Sequence, residues 1–163
     1  RPGQTITAKG YDDVEFLIST NPGESLKPLS QVASGGELSR IMLAIKTVLA
    51  GRDEIDTLIF DEIDTGISGR TAWKVAEQLS VLSGAHQVIC ITHLPQIAAM
   101  ADVHFAIEKS STDDMTITDI RKVADEESLA ELARLLGSDA LTEAALSNAK
   151  EMKEQANAFK EVR

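Results

Sequence analysis

A chain of 163 residues with 43% apolar content can bury one sizeable core, so a single compact domain is expected. Its formal net charge of -10 argues against a large nucleic-acid footprint on this piece, because phosphate contacts need clustered Lys and Arg. The single cysteine, Cys90, excludes an internal disulfide, and the lack of a bilayer-length apolar run or a leader peptide leads to the expectation of a cytoplasmic protein with no membrane contact.

In chain order, residues 14–19 predict a strand closed by the turn Asn21-Pro22-Gly23. A linker with Pro28 leads to Ser34-Gly35-Gly36, after which Leu38, Ile41, Met42, Ile45, Val48 and Leu49 recur at helical spacing until Gly51. Residues 58–60 are a short apolar run of the kind buried in parallel sheets. Ser68 is placed to cap a helix whose inner face carries Ala72, Val75, Ala76, Leu79 and Leu82, and Gly84 ends it. A second buried strand over 88–91 holds Cys90 as a small core residue, followed by a short helix over 95–100 and a strand over 103–108. Polar residues 110–114 link that strand to one over 116–120 as a hairpin. Two helices over 129–136 and 141–159 finish the chain. In the second, Leu141, Ala145, Ala149, Met152, Ala156 and Phe159 form a stripe that predicts core packing. The alternation predicts an α/β fold, mostly parallel sheet flanked by helices with a small β-hairpin.

The chemistry-bearing residues fall at strand–helix junctions. Paired glycines at a helix start let backbone N–H groups approach an anion, and the helix's positive end and the Ser34 hydroxyl add stabilisation; an ordinary N-cap turn is the bland alternative. Asp61 and Glu62 end an apolar strand, at the sheet edge where ligands bind in open parallel sheets. There Asp61 can hold Mg²⁺, usually through water, and Glu62 can orient or deprotonate an attacking water; the alternative is an acidic loop with Asp64. His93 follows the next buried strand at the same edge, in reach of a terminal phosphate, although a lone histidine is more often structural. His86 reads as a surface residue at a strand entry and His104 as a strand residue. Arg121-Lys122 and the set Lys150, Lys153, Lys160 and Arg163 read as solvated helix faces. Zinc is disfavoured by one cysteine and no close-spaced ligand pair, and a serine hydrolase by the missing nucleophile elbow. The sequence also lacks a Gly-x-x-x-x-Gly-Lys-Ser/Thr phosphate loop; the nearest imitation, Gly69-Arg70-Thr71, has Arg for Lys.

The order of these motifs resembles the ABC-type ATPases. Residues 32–40, with Ser34, Gly35, Gly36 and Glu37, resemble the signature motif, 58–62 the Walker B strand, 63–68 the D-loop with Asp64, Thr65 and Gly66, and Thr92-His93 the switch histidine. Glu37 after the glycines and Asp61-Glu62-Ile63-Asp64 are similar to the SMC-like branch, and the runs 31–44, 60–69 and 92–98 resemble its RecN family of bacterial DNA repair proteins. Ile67-Ser68 departs from the usual Leu-Asp at the end of the D-loop.

The resemblance implies that residues 1–163 are the C-terminal lobe of an ABC/SMC-type head, with the phosphate-loop lobe and a long coiled coil supplied elsewhere in the same protein. It implies ATP and Mg²⁺ as ligand and cofactor, catalytic roles for Glu62 and His93, Asp61 on the metal, and a homodimer of heads. In that dimer Ser34, Gly35, Gly36 and Glu37 reach the ATP of the opposite head. DNA would be met through the full-length protein, in double-strand-break repair and recombination at the nucleoid. An ABC transporter ATPase subunit and a non-hydrolysing nucleotide-gated clamp or scaffold are the alternative readings.

Overall fold

The computed structural model describes residues 2–8, 10–12, 14–19, 23–31, 34–52, 54–111, 116–137 and 141–162. Two small antiparallel hairpins come first: β1 (Pro2–Thr7) with β2 (Gly10–Asp12), and β3 (Leu17–Ile18) with β4 (Lys27–Pro28). The strand expected over 14–19 shrinks to Leu17 and Ile18, because only these two residues have cross-strand partners. Its closing turn falls largely on 20–22, outside the described residues. A 3-10 turn, Leu29–Gln31, leads on to α1 (Gly35–Leu49), and Gly51 follows that helix at a φ of 80°, a left-handed conformation suited to glycine.

The centre of the lobe is a strand–helix–strand unit. β5 (Thr57–Phe60) runs into α2 (Gly69–Leu82) and returns as β6 (Gln87–Cys90), parallel to β5 with Thr57 opposite Gln87 and Phe60 opposite Cys90. Short α3 (Pro95–Met100) starts on Pro95, whose missing N–H costs nothing in a first helical turn. β7 (Phe105–Ser111) and β8 (Thr116–Lys122) form the expected hairpin, its connection at 112–115 lying outside the described residues. α4 (Asp125–Leu135) and α5 (Glu143–Glu161) complete the lobe.

One core joins these pieces: Leu43 of α1, Phe60 of β5, Leu79 and Leu82 of α2, Ile97 to Met100 of α3, Leu132 of α4 and Met152 of α5. α3 sits among α2, α4 and α5, which is why nearly every residue of this short helix is buried. The stripe on α5 packs as expected through Ala149, Met152 and Ala156, flanked by Ala145 and Phe159; Leu141 precedes the helix and is exposed. Ser68 holds the N-cap position of α2 but makes no side-chain capping bond.

The fold is α/β with flanking helices, and its parallel pairing is confined to β5 and β6 among the described residues. The apolar strands are covered on one face only. Phe60 is buried and Leu58, Val88 and Cys90 pack on the core, whereas Ile59 is 67% exposed, and Ile89 and Ile91 are 45% and 48% exposed on the outer face. A continuous apolar run predicts two covered faces, so this outer face is the departure. No helix among the described residues is long and apolar enough to cross a membrane.

Candidate functional site

Three stretches distant in sequence meet where β5 and β6 end. The first is the start of α1. Ser34 caps it in an extended conformation, accepting the Glu37 N–H at 3.5 Å, the long limit for such a bond. Val32 and Ala33 lie outside the described residues.

The second stretch is the loop after β5. Asp61 Oδ1 accepts the Glu62 N–H at 2.9 Å, and Glu62 has a φ of 57°. Such a φ is uncommon for a residue with a side chain, and here it turns the chain sharply at the strand end. Thr65 N–H then donates to Glu62 O at 3.0 Å, Gly66 follows at a φ of 75°, and Ile63 is wholly buried beneath.

Side chains of α1 stitch these two stretches together. Ser39 Oγ donates to Asp61 O at 2.9 Å, and Arg40 Nη1 donates to Ile63 O at 3.0 Å and Thr65 O at 2.9 Å. The two glycines thereby acquire a reason the sequence does not announce. A Cβ at Gly36 would lie 2.8 Å from Glu62 O and 3.0 Å from Thr65 Cβ, and one at Gly35 would collide with the Glu62 carboxylate. The helix start is glycine because the loop rests on it. Sequence reasoning placed Ser39 and Arg40 in the signature-like run without a role of their own; the signal for Arg40 was its place one turn beyond Gly36, hence on the same helix face.

The third stretch follows β6. Asp64, only 4% exposed, receives Thr92 Oγ1 at 2.6 Å and the His93 N–H at 2.9 Å, and its Oδ2 also lies 2.9 Å from His93 Nδ1. Burial pushes the Asp64 carboxyl upward, but the Thr92 hydroxyl, the His93 N–H and the His93 ring outweigh it and hold the group below its ordinary value of 3.8. Thr92 Oγ1 in turn accepts the Leu94 N–H at 3.0 Å. Burial, with Asp64 and Asp61 adding to it, raises the Cys90 thiol to about 12, so it stays protonated.

The sequence-derived residues are therefore gathered, in two sub-clusters. Gly35, Gly36 and Glu62 touch, while Asp64 pairs with His93. Two other histidines depart from expectation. His86 is buried, with Nδ1 2.7 Å from Ile55 O, and His104 lies just before β7, half-buried against Ser128 Oγ at 3.1 Å and held below its ordinary value by burial. Both sit away from the strand ends as structural contacts.

For magnesium, the donor set is thin: no group of three or more His, Cys, Asp or Glu side chains converges among the described residues. Mg²⁺ commonly binds through one or two carboxylates plus substrate phosphates and water, so exposed Asp61 fits a shared, nucleotide-dependent site rather than a self-sufficient one.

No curated family profile matches the chain. Individual proteins do: it is 54% identical over 143 residues to DNA repair protein RecN of Treponema pallidum, covering 88% of this chain. It is 49% identical over 151 residues to that of Halalkalibacterium halodurans and 48% over 155 to that of Bacillus subtilis, covering 93% and 95% of this chain. Over this span the chain belongs to the RecN family. It spans about a quarter of these RecN relatives' length: 25% for Treponema pallidum and 27% for each of the others. A solved structure described as concerning ATP-driven dimerization and DNA stimulated activation of SMC ATPases covers 76% of this chain and 81% of its own, at a TM-score of 0.48 and 23% identity.

Proposed function

We infer that residues 1–163 are the C-terminal lobe of an SMC-like ATPase head, acting in DNA double-strand-break repair and recombination as part of a longer protein. The observation that carries this reading is the meeting of the α1 start, the Asp61–Glu62 loop and His93 beyond the parallel strand ends. Open parallel sheets place ligands at that edge. The longer protein's N-terminal lobe would supply the phosphate loop, and the exposed face bearing Ile59, Ile89 and Ile91 is suited to receive it.

In this reading Glu62 orients and deprotonates the attacking water. His93 presents a ring nitrogen to the terminal phosphate, where charge accumulates during transfer. Asp61 holds Mg²⁺ through water, and the ion would neutralise phosphate charge when bound. Ser34, Gly35, Gly36 and Glu37 offer a helix N-terminus to the nucleotide of a second head, so each site is completed by dimerisation. DNA is met through the full-length protein.

The test uses full-length protein carrying this chain. Glu62→Gln keeps size and hydrogen bonding but removes the base, so ATP stays bound, hydrolysis slows and head dimers accumulate. Ser34→Arg blocks dimerisation and lowers hydrolysis about a hundredfold, the usual cost of losing one donor to a transferring group. Mixed dimers of the two variants contain one intact composite site and should regain part of the activity. Demonstrated mixed dimers with no recovery would show that Ser34 serves its own head, and a parental rate for Glu62→Gln would remove Glu62 from the chemistry.

A further inference from the structure

The Asp64–His93 pair asks for more than a turn-stabilising role. Asp64 is among the few buried charged side chains of the described residues, and it ignores its sequence neighbours Asp61 and Glu62. Its Oδ2 instead accepts the Thr92 hydroxyl at 2.6 Å and the His93 N–H at 2.9 Å, both from the stretch beside it, and pairs with the His93 ring nitrogen Nδ1 2.9 Å away. Meanwhile the His93 side chain is 73% exposed. A ring otherwise free in solvent is thus fastened at one nitrogen to a carboxylate sunk in the fold.

A nitrogen 2.9 Å from a buried carboxylate oxygen carries the proton, since two acceptors at that distance would repel. Which ring nitrogen acts outward is then set by the bond the other makes. We propose that Asp64 is the positioning residue of the site: it holds His93 through Nδ1–H and turns Nε2, on the ring's exposed edge, outward, so that Nε2, once it carries a proton, donates to the phosphoryl group being transferred. Thr92 completes the device, donating to Asp64 while accepting from Leu94 N–H, so the carboxylate and the loop that carries His93 are locked in one arrangement. The proposal rests on the reading of His93 given above, and assigns to a residue between Walker B and the D-loop end the orienting function that a carboxylate performs for histidine in many sites.

The test again uses full-length protein, with histidine ring nitrogens labelled with ¹⁵N and His93 assigned by loss of its signals in His93→Ala. At a pH where the ring is neutral, the parental spectrum should show Nδ1 protonated and Nε2 bare. Asp64→Asn should shift the population toward an Nε2-protonated ring and lower kcat about 10- to 100-fold with little change in KM for ATP, the usual loss when an orienting partner is removed. The same substitution placed on His93→Ala should cost nothing further. Thr92→Val leaves Asp64 in place and should move both readouts the same way by less, which keeps the test alive if Asp64→Asn does not fold. A parental ring protonated at Nε2 overturns the proposal, as does an Asp64→Asn loss of equal size with and without His93. If His93→Ala hydrolyses ATP at the parental rate, the catalytic reading of His93 fails instead, and the parental ring spectrum alone then decides whether Asp64 orients it.

Discussion

The segment before α1 and the segment from Ser34 to His93 are built on opposite principles. Between Ile6 and Gln31 no described side chain is buried; Tyr11, Val14, Phe16 and Leu26 all stand at least half exposed. Backbone pairing and short-range side-chain bonds, Thr7 Oγ1 to Gly10 O and Ser19 Oγ to Glu24 O, shape the two ribbons there, and isolated two-stranded hairpins are marginal in water. From Ser34 onward, side chains bind backbone across more than twenty residues: Ser39 to Asp61, Arg40 to Ile63 and Thr65, Asp64 to His93. The comparison teaches that local order near the candidate site comes from polar stitching over a shared core.

The contrast can be broken first at the core. Leu82 is wholly buried in α2, and Leu82→Ala should cost about 3 kcal/mol of stability in chemical denaturation, from lost transfer energy and the cavity left behind. A loss below about 1 kcal/mol would show that the lobe collapses around the cavity and is loosely packed.

The stitching is tested next at Gly36. A methyl group there comes nearest to a backbone oxygen, Glu62 O, so the 61–66 loop must move, and Gly36→Ala should cost about 2 kcal/mol. Hydrogen exchange should localise the effect, with amides of that loop deprotected and those of α5 unchanged. Uniform deprotection would mean that the glycine matters to the whole fold rather than to the seat of the loop.

Acid gives a smaller and more specific effect. The folded-state value of Asp64 lies below its ordinary 3.8, so its contribution to stability is present above that ordinary value and is lost as pH falls through the lowered one. Asp64→Asn should therefore flatten the acid limb of stability against pH while leaving its shape near neutrality. An unchanged acid limb would show that Asp64 carries no net linkage.

Least is expected from the ribbons. Phe16 is 66% exposed, and Phe16→Ser should change stability by no more than about 0.5 kcal/mol. A loss comparable to that of Leu82→Ala would reveal an apolar anchor that the described chain does not contain.

The candidate site was legible where its residues lie at strand ends. Asp61, Glu62 and His93 could be placed from short apolar runs followed by polar residues, and Gly35-Gly36 from the start of a periodic helix. The glycines were read as an opening for an anion, and the structure adds that they seat the Glu62 loop. The ribbons were half missed because β2 and β4 are very short and carry no buried residue, and strands without a buried face leave little alternation to read. His86 was placed on the surface because nothing in its neighbours reveals that Ile55 O, thirty-one residues earlier, lies against its ring.

By itself the sequence determined the order of helices and central strands, the amphipathic faces of α2 and α5, and the junctions where the candidate site residues fall. These follow from local periodicity and from the residue types that end helices and strands. Only the tertiary structure decided that Arg40 holds the carbonyls of Ile63 and Thr65, that Asp64 turns from the neighbouring acids to His93, and that one face of β5 and β6 stays open. Such pairings join residues tens of positions apart, and their geometry depends on how α1 and β6 pack beside β5, which no local window contains.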